Sequence, residues 1–145
     1  MAVVLFVAQV GATLALLGLA WYVQLVAYPL FALVGAPAFQ GYHAAHVRRV
    51  TWVAAPLMLL ELGSALGLFL ARPGFVPEEV AWLGASLVGA VWGSTFLLQV
   101  PAHDRLAAGH DAALVTRLVA TSWVRTLAWT GRAGLLLGCL VRGLG

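Results

Sequence analysis

Residues 1–27 read MAVVLFVAQVGATLALLGLAWYVQLVA, a stretch without a single Asp, Glu, Lys or Arg. A helix needs about 20 apolar residues to cross ~30 Å of hydrocarbon, and this segment is long enough. It lacks the basic n-region of a secretory signal, so it reads as a retained first span over about residues 3–27, stopping at Tyr28-Pro29. Everything downstream has to be compatible with a chain that begins inside a membrane.

The rest of the chain agrees. Of its 145 residues, 63% are hydrophobic and 9% charged, where a soluble domain carries about 25% charged residues. So few charges cannot cover a water-facing surface, which excludes a soluble globular protein. Disorder is excluded as well, because it requires low hydrophobicity and high net charge. The net charge of +3 rests on eight arginines with no lysine, and these are scattered along the chain. That pattern fits a topological role and not a nucleic-acid surface. The lone Cys139 forbids an intrachain disulfide.

Three further apolar stretches follow. The second helix begins near residue 38, enters the hydrocarbon at about 51 and leaves at about 71, where Arg72-Pro73-Gly74 breaks it. Pro77-Glu78-Glu79 opens the third, with proline in the first turn and acids at the positive end of the helix dipole. It spans about 79–100, and Pro101 kinks or ends it. Gly109 closes any continuation and Asp111 is a good N-cap for a fourth helix, with a span over about 117–140. The fold expected is an all-α integral membrane protein, one domain over 1–145, built as a four-transmembrane-helix bundle. Arg48, Arg49, Arg105 and Arg117 fall on one face, and Arg72 and Arg142 on the other. The positive-inside bias makes the first face cytoplasmic, and a bacterial inner membrane with both termini extracytoplasmic is expected. Tyr28-Pro29 before Thr51-Trp52 is echoed by Val100-Pro101 before Ser122-Trp123, an offset of about 71 residues that suggests two parallel helical-hairpin repeats. Small residues such as Gly63-Ser64-Ala65 and Gly84-Ala85-Ser86 favour close helix approach and admit a homo-oligomer.

Two sets of residues can carry chemistry. Glu61 and Arg132 lie at matching depths in the second and fourth spans, and intramembrane charges normally face inward and pair. A buried ion pair is the structural reading, and a proton-accepting carboxylate or a substrate clamp is the functional one. Arg125 is a second intramembrane cation, nearer the opposite face. The other set is histidine: His43 and His46 share one side of a helix at i, i+3, and His103 follows Pro101 on the neighbouring helix at similar height. Three imidazoles so placed supply ligands for a transition metal or a haem iron. They equally suit a proton relay, a quinone contact, or plain interfacial polarity. Gln24, Tyr28 and Gln99 are available as a second shell, and a pocket walled by Trp52, Trp92 and Trp123 beside Arg125 is expected in that half, with the histidines at its mouth. His-Glu-x-x-His, phosphate-loop and Ser-His-Asp patterns are all missing.

The Tyr-Pro-Leu-Phe segment (Tyr28 to Phe31) followed by Phe-x-x-Tyr-His-x-x-His-x-Arg-Arg (Phe39 to Arg49) resembles small bacterial four-span proteins. More loosely the layout is similar to the anthrone-oxygenase-like family, which implies oxidation of polycyclic aromatic substrates without an obvious cofactor. Two functions therefore stand open. One is a redox or oxygenase-like enzyme acting on a lipophilic small molecule, with His43, His46 and His103 as metal or haem ligands or as acid–base groups. The other is a non-enzymatic accessory subunit, or a proton or anion carrier using Glu61, Arg125 and Arg132. Membrane lipid is the partner common to both.

Overall fold

The computed structural model describes Met1–Gly145 and is all-helical. Four long helical rods follow one another: α1 (Ala2–Leu33), α2 (Ala36–Leu70), α3 (Glu78–Leu106) and α4 (Ala112–Leu144). The first three are long and apolar enough to cross a membrane. α4 misses that composition because Arg117, Arg125, Arg132 and Arg142 punctuate it. The rods form a ring, with α1 against α2 and α4, and α4 against α3. α2 and α3 close the ring over a shorter contact.

Pro29 and Pro101 do not end their helices. A proline ring collides with the carbonyl four residues back and offers no N–H, so the backbone must widen or break just before it. Here it widens. Val23–Ala27 and Thr95–Gln99 are single π turns, in which the Tyr28 N–H reaches Val23 O and the Val100 N–H reaches Thr95 O. Both helices then continue to the face where the histidines lie. Pro56 sits inside α2 without a π turn. Between α3 and α4 the chain reverses through Gly109, whose φ of +151° is the single positive value in the protein. Asp111 caps α4 by accepting from the Leu114 N–H at 3.0 Å.

Polarity is distributed inside out. Gln9, Thr13, Gln24, His43, Glu61 and Arg132 are buried, whereas Leu33, Trp52, Leu70 and Leu97 are largely exposed. The buried charges bond to each other and to neighbours on the other rods. Glu61 Oε1 accepts from Arg132 Nε at 3.1 Å and from the Thr13 hydroxyl at 2.7 Å, and Oε2 accepts from Trp129 Nε1 at 3.0 Å. Arg132 Nη1 donates to the Gly84 carbonyl. One carboxylate–guanidinium pair thus ties α1, α2, α3 and α4 together. A Cβ on Gly84 would lie 2.9 Å from Arg132 Nη1, so glycine permits that approach.

Candidate functional site

The histidine-bearing end of the ring is organised around Tyr28, which the π turn in α1 presents just before Pro29. Arg125 Nη2 donates to the Tyr28 hydroxyl at 3.2 Å. The same hydroxyl meets His103 Nε2 at 3.0 Å, and His103 Nδ1 meets His43 Nε2 at 2.9 Å. A guanidinium can only donate, so the Tyr28 oxygen accepts from Arg125 and its own proton is free to go to His103 Nε2. With that donation neutral His103 carries its proton on Nδ1 and gives it to His43 Nε2; the same distances also serve the reverse order, in which His43 Nε2 donates to His103 Nδ1 and His103 Nε2 donates to the second lone pair of the Tyr28 oxygen. Arg125 thus heads a hydrogen-bonded chain of three side chains, Tyr28, His103 and His43.

Packing fixes the rings. His43 is buried and stacks on Phe39, with centroids 5.6 Å apart and planes 15° from parallel. Phe31 packs edge-on against His46 at 4.9 Å and against His43 at 5.7 Å. His46 lies 6.4 Å from His103, ring centre to ring centre. The fourth histidine, His110, is set apart against the edge of Phe39.

No group of three His, Cys, Asp or Glu side chains is disposed to hold a metal ion. His43, His46 and His103 do come together, but both nitrogens of His103 are spent on Tyr28 and His43. A metal requires lone pairs converging at about 2 Å, and here the rings hydrogen-bond to one another instead.

Beside this chain a cavity of about 490 Å3 opens between α2 and α3. Its walls are apolar, with Val50, Ala54 and Met58 on one side and Trp92, Phe96 and Val100 on the other. Its polar end carries Tyr28, His46, His103, Gln99 and Arg125, with Asp104 exposed at the rim. Gln99 gives its Nε2 to the Thr121 hydroxyl at 3.0 Å, leaving Oε1 buried without a partner. Arg125 Nε and Trp92 Nε1 are also buried donors without acceptors. A second cavity of about 320 Å3 lies on the far side of His103, lined by His43, Gln40, Arg48 and Asp104. His103 borders both. The Tyr28–His103–His43 chain therefore passes through the partition between an apolar cavity and a polar groove.

Several expected pocket residues lie elsewhere. Trp52 points outward and is 78% exposed, and Trp123 packs edge-on against Trp21 at 5.6 Å on the exterior. Both follow from helix phase. Trp52 is one residue beyond cavity-lining Thr51, and Trp123 two before Arg125, so each is turned well away at ~100° per residue. Gln24 does not line the cavity either: it ties α1 to α4, donating to the Val119 carbonyl at 3.1 Å and accepting from the Ser122 hydroxyl. Glu61 and Arg132 are sealed away from it, leaving Arg125 as the one arginine on its wall. Thr13 was legible but overlooked, since Gln9 and Thr13 are polar residues four apart on one face of an otherwise apolar helix.

No protein-family model, no curated protein and no solved structure matches this chain.

Proposed function

We propose that the chain is an integral membrane protein of four spans that admits a lipophilic molecule between α2 and α3 and exchanges a proton with its polar head through Tyr28, His103 and His43. The observation that carries this reading is the continuous hydrogen-bonded Arg125–Tyr28–His103–His43 chain running from the wall of an apolar cavity into a second groove lined by Gln40, His43 and Arg48. General acid–base groups must lie within hydrogen-bond reach of the proton they move, and three of these four side chains border the cavity.

α4 qualifies as the fourth span despite its composition. Arg132 is spent on Glu61 and Arg125 borders the cavity, while the surface it turns outward holds Val124, Leu127, Leu137 and Val141. Two parallel hairpin repeats are supported by the π turns, five residues each, offset by 72 positions (23 to 95) and each followed by an X-Pro step. The arginine bias places the histidine-bearing face in the cytoplasm.

Organic extraction of the purified protein followed by mass spectrometry tests the binding half, with a stoichiometric lipophilic molecule expected and its absence counting against the cavity. Proton uptake or release when that molecule is added in weak buffer tests the other half, and the signal should vanish in His103→Phe. A redox or oxygenase-like activity through a metal or haem requires the histidines to rearrange. A Soret band, or stoichiometric metal lost in His43→Ala, would favour it over proton exchange.

A further inference from the structure

Arg125 is the residue the cavity leaves unbalanced. The protein has two ion pairs, Arg72–Glu78 and Glu61–Arg132, and Arg125 belongs to neither. Its guanidinium makes one hydrogen bond, to the neutral Tyr28 hydroxyl, and its Nε–H is buried without an acceptor. Cations at membrane depth are costly and are held by a partner, and an unmade hydrogen bond to a buried charged group carries its own penalty. Arg125 lines the cavity, and a guanidinium takes a carboxylate through two parallel hydrogen bonds.

We infer that the cavity binds a single-chain long-chain carboxylate, with its head neutralising Arg125 and its tail lying between Val50, Ala54 and Met58 of α2 and Phe96 of α3. This assignment rests on the reading of the cavity as a lipophilic binding site and adds the ligand's charge and class. Two observations select a monoanion. Arg125 is the one arginine on the wall, and Asp104 stands at the rim, so a dianionic phosphate would be under-neutralised and repelled at the mouth. The volume of about 490 Å3 falls in the range, ~300–1,000 Å3, of sites that enclose one small ligand. The charged and titratable groups bordering the cavity are Arg125 from α4, Tyr28 from α1, His46 from α2, and His103 and Asp104 from α3.

Full-length protein in lipid nanodiscs is titrated with palmitic acid, methyl palmitate and hexadecyl phosphate at a pH where the acid is ionised. Palmitate is expected to bind at one per chain, with the methyl ester weaker by about tenfold or more, the value of a charge-assisted hydrogen bond. Arg125→Met should abolish that preference, and Arg125→Lys should retain part of it. If Arg125→Met does not fold, the acid–ester comparison in the unaltered protein decides alone. Equal binding of acid and ester, or tighter binding of the phosphate, overturns the carboxylate and leaves the lipophilic cavity standing. If none of the three probes binds, the cavity reading falls together with it.

Discussion

Glu61 and Arg132, 71 residues apart in sequence, meet at 3.1 Å with side chains 0% and 3% exposed. Around them Thr13, Trp129 and the Gly84 carbonyl complete the hydrogen bonding, so that every helical rod contributes to one polar knot. Burying two charges is costly, and removing one partner strands the other, typically at ~3–5 kcal/mol, whereas apolar replacement of both is often near neutral. Glu61→Gln and Arg132→Met should each lower the melting temperature in detergent, and the double variant should recover much of the loss. Stable single variants that lose ligand would make the pair functional.

The donor order at the other end of the ring sets an unusual tautomer pattern. Nitrogen-15 imidazole spectra should show neutral His103 and His43 both protonated on Nδ1, the order in which Tyr28 donates to His103 Nε2 and His103 to His43 Nε2. Tyr28→Phe removes the first donor, and His103 should then lose its fixed tautomer. An Nε2-protonated His103 in the unaltered protein would run the chain the other way, from His43 to Tyr28, and overturn this donor order.

Phase along α2 separates cavity from exterior. Ala54→Trp fills the space between α2 and α3 and should eliminate the extracted lipophilic molecule. Trp52→Ala removes a side chain that is 78% exposed and should leave binding within about twofold and stability within ~0.5 kcal/mol, as for other surface positions. Loss of binding in Trp52→Ala alone would place the site on the outer surface.

The π turn in α3 sets where His103 points. Pro101→Ala restores a donor and removes the ring clash, so Thr95–Gln99 can return to regular α-helix. Releasing the extra residue of the turn rotates the remainder of α3 by ~100°, which should separate His103 from His43 and Tyr28. The tautomer signature described above should disappear, with the helix content by circular dichroism unchanged.

The chain's own letters determined a good deal. The uncharged first 27 residues, the scarcity of charge, and breakers at Arg72-Pro73-Gly74 and near Gly109 dictate long apolar helices joined by short turns, since lipid offers the backbone no hydrogen bonds. The partnership of Glu61 with Arg132 was also legible, because rise per residue converts position into depth and buried charges must pair. The cavity was not. Its lining depends on how each rod is rotated: the π turns before Pro29 and Pro101 each insert a residue that resets the phase of the rest of α1 and α3, and packing alone sets the rotation of α2 and α4. Depth counting alone places Trp52 and Trp123 beside the cavity, whereas the rotation of α2 and α4 in the folded protein turns them out, and Met58 and Phe96 come to the wall. The histidines illustrate the same division: spacing put His43, His46 and His103 at one end, but only tertiary packing, through Phe31, Phe39 and Tyr28, decided that His43 and His103 bind each other and leave Arg125 without a counter-charge.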